Sequence, residues 1–175
     1  YLDSPLDSNS RFFTYISQEV PAYVDANFRT RREARQRAIV GLSMGGHGAL
    51  HIGLQRPEIF GAIGSMSGVM DLSRHADAYD LRLHLGDPLT DSLRWHEASA
   101  IYAIQSAGSP ASLFIDCGTD DALIAENRAM HDTLLALGIP HIYCERPGTH
   151  DWAYWSRSIK YHLLHLGEWF AEAGQ

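Results

Sequence analysis

The apolar positions of this chain switch between two spacings. After a polar cluster rich in helix-capping residues, Asp7-Ser8-Asn9-Ser10, the residues Phe12, Phe13, Tyr15, Ile16, Val20, Tyr23, Val24 and Phe28 recur at helical spacing. They predict a helix over about 9–27, with Pro21 as a kink point. Arg29 to Arg37 holds five arginines and little that is apolar. A solvated loop is the expectation there, and an anion site is the alternative.

Short apolar runs then alternate with longer amphipathic stretches. Ala38-Ile39-Val40-Gly41-Leu42 is short, β-branched and followed by glycines, which predicts a buried strand. Gly45 to Gln55 predicts a helix that stops before Pro57. Phe60–Met66, Ala111–Cys117 and His141–Glu145 predict three more strands. Ala122–Leu137 predicts a helix with Gly138 as its stop and Pro140 beyond, and Trp152–Ala171 a final helix. Residues 69–108 are mixed, with the clearest helical pattern near Ser92 to Ile104. This alternation predicts an α/β fold, a mostly parallel sheet with helices on both faces. Its reactive groups belong at the carboxyl ends of strands.

Composition narrows the classes. The 175 residues suit one domain, and 45% apolar with 20% charged residues is globular. The net charge of -7 disfavours nucleic acid and anionic membranes, and no apolar run approaches the ~20 residues of a membrane span. Two cysteines, Cys117 and Cys144, cannot staple a domain of this size. The compartment stays open, with the cytoplasm slightly favoured. The chain starts Tyr1-Leu2-Asp3-Ser4-Pro5, with neither an initiator Met nor a signal-peptide pattern, so the expectation is that an N-terminal piece was removed or that this is a fragment.

Gly41-Leu42-Ser43-Met44-Gly45 reads G-x-S-x-G. In a sharp strand-to-helix turn the serine is strained and exposed, and flanking glycines avoid collision. By chance the pattern occurs in roughly one such chain in twenty, so its strand-before, helix-after context carries the weight. A serine hydroxyl needs a base. His150 is the candidate among ten histidines, because it lies in the Gly/Pro-marked loop after the fourth strand. His47 and His51 are four apart, a metal-ligand spacing, but no third ligand is evident, and His162 and His165 are treated alike. No metal or cofactor is expected. A carboxylate after the third strand would orient the imidazole. Asp120 and Asp121 compete for this role, and spacing does not separate them; Asp116 lies within the strand. With Asp121, the chain order Ser43, Asp121, His150 is that of α/β-hydrolases.

Residues 41–50, GLSMGGHGAL, closely resemble the nucleophile elbow of the esterase D family. That family includes S-formylglutathione hydrolases, tributyrin-type esterases and feruloyl or acetyl-xylan esterase domains. The elbow is also similar to that of mycolyl-transferring acyltransferases. Tyr1–Pro5 resembles the segment ahead of the elbow, residues 117–121 (CGTDD) the acid loop, and residues 148–155 (GTHDWAYW) the histidine segment. The resemblance implies an α/β-hydrolase fold of which this chain is the C-terminal part. It puts the acid on Asp121 and one oxyanion N–H on Met44. The second oxyanion donor belongs to a loop ahead of Tyr1, and no H-G-G-type loop occurs in this chain. A missing donor costs roughly 2.7–4 kcal/mol of barrier lowering.

The expected activity is hydrolysis of small acyl esters or thioesters through an acyl-enzyme, rising across about pH 6–7 as the base becomes neutral. The alternatives are acyl transfer to a sugar or alcohol, a non-catalytic binding module, and a peptidase. Residues 69–108 are expected to form a partial lid. Trp152 and Trp155 are candidates for the substrate pocket, with helix packing as their competing role. The expected partners are a small ester, a segment or second chain supplying N-terminal strands, and a second copy in a homo-oligomer.

Overall fold

The structure is a computed structural model, and it describes residues 1–107, 110 and 112–173. The described elements begin with α1 (Phe12–Thr14), a π-helical turn Tyr15–Glu19 and α2 (Val20–Asn27). Then come β1 (Ala38–Leu42), α3 (Met44–Gln55) and β2 (Ala62–Met66). A 3-10 turn at Leu72–His75, α4 (Leu81–Leu85), α5 (Ser92–Ala98) and α6 (Ala100–Ser106) lead to β3 (Ser112–Gly118). The chain continues through α7 (Ile124–Ala136), β4 (Ile142–Arg146) and α8 (Trp152–Ala173).

The four strands are parallel and lie in the order β1-β2-β3-β4. Each crossover therefore steps one strand in the same direction, and right-handed crossovers put their helices on one face. Leu50 of α3, Ile104 of α6 and Met130 and Leu134 of α7 pack there on Ile63, Leu113 and Ile115. The alternate strand residues point the other way, where Val40, Leu42 and Met66 meet Tyr154, Trp155 and Ile159 of α8. The fold is thus α/β, with helices on both faces. β2 and β3 are buried throughout, whereas β1 is only partly buried and pairs on one side among the described residues.

The chain differs from the sequence expectation at three places. The first helix starts only at Phe12 and is π-helical over Tyr15–Glu19, just ahead of Pro21, whose ring offers no N–H to the carbonyl four residues back. The helix expected near Ser92–Ile104 is two helices that meet at Ser99, which is extended (φ -86°, ψ 129°). Its hydroxyl accepts from Leu72 N–H at 2.9 Å and donates to Trp95 O at 2.7 Å. The third strand starts at Ser112; Ala111, its expected first residue, and residue 108, the end of the expected lid, lie outside the described residues. The arginine-rich loop is pinned by Asp25, which accepts from Arg37 at 2.8 Å and Thr30 at 2.7 Å. No helix among the described residues is long and apolar enough to cross a membrane.

Candidate active site

β1 ends in a turn so tight that Ser43 takes φ 53°, ψ -119°, which is left-handed for a non-glycine residue. Three backbone bonds hold it there. Ser43 N–H donates to Met66 O at 2.9 Å, and Ser43 O accepts from His47 N–H at 3.1 Å and Val69 N–H at 3.4 Å. Gly41 is required by sterics, because a Cβ there would lie 2.1 Å from Gly45 O. Gly45 is not: a Cβ at that position meets nothing within 4 Å. The expectation that both glycines avoid collision is therefore corrected for Gly45, whose Cβ direction leads away from the turn.

The Ser43 hydroxyl lies 2.8 Å from His150 Nε2. On the far side of the ring, His150 Nδ1 is 2.8 Å and 3.0 Å from the two carboxylate oxygens of Asp121. With its proton on Nδ1, the imidazole donates to Asp121 and offers Nε2 as the acceptor for Ser43. Asp121 is 3% exposed, and its Oδ1 also accepts from Leu123 N–H at 2.8 Å. Asp120 points to solvent; only its N–H reaches across, to Gly148 O at 3.0 Å.

The acid and histidine loops touch at their glycines. A Cβ on Gly118 would lie 2.3 Å from Gly148 O, and Thr119 N–H donates to Arg146 O at 2.9 Å. Trp155 stands edge-on to His150, with centroids 4.9 Å apart, and is itself buried. Trp152 stacks edge-on against Trp155 and is 70% exposed.

Met44 opens α3, so its N–H lies in the first turn, where amides lack intrahelical acceptors. Beside it is an apolar cavity of about 200 Å³ lined by Met44, Val69, Leu72, Tyr79 and Leu81, among others. Neither Trp152 nor Trp155 lines it. Burial pushes the Cys117 thiol up to about 12, so this neighbour of the acid loop is no competing nucleophile at neutral pH.

The histidines paired by spacing have partners elsewhere in the fold. His47 Nε2 donates to Ala98 O at 2.8 Å, and its ring stacks on His51. His162 stacks on Phe114, and His165 Nε2 lies 2.7 Å from Ser112 Oγ. No group of three or more His, Cys, Asp or Glu among the described residues could hold a metal. Among the buried carboxyl groups, sequence reasoning missed Glu126 and, as more than a strand residue, Asp116. Their one sequence signal is a charge at a position the hydrophobic pattern assigns to the interior.

A family model described as "Putative esterase" matches residues 5–166. An acetyl esterase of Caldicellulosiruptor saccharolyticus is 30% identical over 172 residues, covering 91% of this chain and 64% of that protein. The S-formylglutathione hydrolase of Bos taurus is 26% identical over 176 residues, covering 94% of this chain and 60% of that protein. Among solved structures, the substrate-bound Staphylococcus aureus fluorophosphonate-binding serine hydrolase FphF superposes with a TM-score of 0.84 at 25% identity, covering 95% of this chain and 66% of that one. The chain thus spans about three fifths of the length of these two relatives.

Proposed function

We infer, since this chain belongs to the esterase family, that it carries the catalytic part of a serine carboxylesterase acting on small acyl esters or thioesters. The observation that carries this reading is the unbroken run of short contacts from Ser43 Oγ through His150 to Asp121, at a strained elbow. In the proposed cycle His150 Nε2 takes the Ser43 proton as Oγ attacks the acyl carbonyl. The oxyanion accepts from Met44 N–H at the head of α3. Asp121 keeps the proton on Nδ1 and stabilises the imidazolium. His150 then protonates the leaving alcohol or thiol, and water, deprotonated by the same imidazole, releases the acid.

The cavity beside Met44 receives the apolar part of the ester in this reading, with the first half of residues 69–108 as its partial lid. Trp155 acts by holding the His150 ring, and Trp152 borders the site from the solvent side. The second oxyanion donor comes from a segment or second chain outside these residues, which would also pair with the open edge of β1. The 175 residues then form one α/β-hydrolase domain whose N-terminal strands that segment or chain supplies. Relatives named as an acetyl esterase and an S-formylglutathione hydrolase favour hydrolysis over acyl transfer, with acetyl and formyl groups as the first acyl groups to try.

Reaction with a fluorophosphonate, read by intact mass, tests the assignment. One adduct on the wild type and none on Ser43→Ala is expected. An adduct that persists in Ser43→Ala, or no adduct on the wild type, would overturn it.

A further inference from the structure

We propose that Asp116 is a positioning residue for His150. The inference rests on the esterase reading above. Asp116 lies on β3, on the face covered by α8, and is fully buried. Its Oδ2 accepts from Arg146 Nη1 at 2.9 Å and from the Ser158 hydroxyl, and His162 Nε2 stands 3.5 Å away. Arg146 is the last residue of β4, and Ser158 and His162 belong to α8. His150 lies in the loop between those two elements. One carboxylate therefore ties down both ends of the loop that carries the base.

The tie is reinforced on each side. The Arg146 guanidinium lies over the Tyr161 ring of α8, 3.9 Å from its centroid, and its carbonyl accepts Thr119 N–H from the acid loop. Tyr154, one turn before Ser158, packs under Gly148: a Cβ there would sit 2.5 Å from Tyr154 Cδ2. Trp155 then meets the His150 ring edge. The Asp116 backbone also faces the nucleophile side, because its carbonyl accepts Ser67 N–H at 2.7 Å, just past the Met66 carbonyl that holds Ser43 N–H. A buried carboxylate is costly to a fold unless its partners are well placed. Here every partner of Oδ2 lies on an element that flanks the histidine loop.

Asp116→Asn keeps the shape and removes the negative charge that Arg146 pairs with. Ser158→Ala is the milder variant, and Ile104→Val in the core across the sheet is the control for general loosening. Two readouts separate positioning from bulk stability. One is the rate of fluorophosphonate labelling with the kcat and KM of ester hydrolysis. The other is the downfield proton resonance of the His150 Nδ1–H bonded to Asp121. A misplacement of the base by an ångström is worth about a hundredfold in rate. Asp116→Asn is expected to lower labelling and kcat tenfold or more, by that scale, with KM within about twofold, and to shift or broaden the resonance. Ser158→Ala should do the same to a lesser degree, while Ile104→Val should leave both readouts near wild type. Unchanged labelling and resonance in both Asp116→Asn and Ser158→Ala would overturn the proposal, as would equal losses in Ile104→Val. If Asp116→Asn does not fold, Ser158→Ala decides. If the wild type does not label, the esterase reading fails and the resonance alone decides whether Asp116 positions the ring.

Discussion

Single residues at the elbow separate two kinds of glycine. Gly41 has no room for a methyl group, because the carbonyl of Gly45 would lie 2.1 Å from it and is fixed in the first turn of α3. Gly41→Ala is expected to destabilise by more than about 3 kcal/mol and to abolish fluorophosphonate labelling. Gly45 sits in helical backbone with open space at its Cβ, so Gly45→Ala is expected to stabilise by about 0.5–1 kcal/mol. Urea melts of the two variants check the pair, and equal effects would refute the steric argument. At this scale the sequence identified the residues that meet. Ser43 and His150 stood out by the motif and by their places after strands. Spacing left the choice between Asp120 and Asp121 open, because either can follow the same turn, and only the family resemblance favoured Asp121. It is decided by the contact between Gly118 and Gly148, thirty residues apart, which turns Asp121 inward and leaves Asp120 in water.

Elements depend on contacts of the same long range. The segment after β2 is held to α7 by Glu126, which is 8% exposed. Its Oε2 accepts from Met70 N–H at 3.0 Å and Asp71 N–H at 3.3 Å, and its Oε1 lies 2.6 Å from His75 Nε2. Glu126→Ala would strand two buried amides, at about 1–3 kcal/mol each. We expect a global loss of about 2–4 kcal/mol and the disappearance of slow hydrogen exchange at Met70 and Asp71, while β3 amides keep their rank among the slowest. Persistent protection at those two amides would show that Glu126 does not hold the segment. Glu126→Gln, which keeps an acceptor, should lose less. The strands and α3, α7 and α8 were legible to within two residues because periodicity and stop signals are local. The break at Ser99 was not, since it depends on an amide at Leu72 that no window around Ser99 contains.

For the whole molecule, alternating strand and helix patterns foretold a parallel sheet, and its sequential strand order places α3, α6 and α7 on one face. What the pattern could not show is that two histidines would be sealed between that sheet's helices and the segment above them. His47 and His51 lie one turn apart on α3, stacked with centroids 5.4 Å apart and nearly excluded from water. Burial is the leading cause that lowers His47 to about 3 and His51 to about 4. In the unfolded chain each titrates near 6.5. The folded values are the lower ones, so between about pH 6.5 and 4 the unfolded chain holds more protons than the native one. Their contribution to stability is therefore complete above about 6.5 and is lost as pH falls towards 4, at about 1.4 kcal/mol per unit for each histidine. Glu145, lowered from its ordinary 4.5 to about 2 chiefly by its hydrogen bond with Arg128, adds its own loss only below about 4.5, so it does not contribute between pH 7 and 5. His47→Gln keeps a donor for Ala98 O but cannot titrate. Between pH 7 and 5 the wild type is expected to lose about 2 kcal/mol more than this variant in urea-denaturation free energy. Parallel curves for the two proteins would mean that His47 is not buried in its neutral form, and that the packing of α3 against the segment above it is looser than the structure has it.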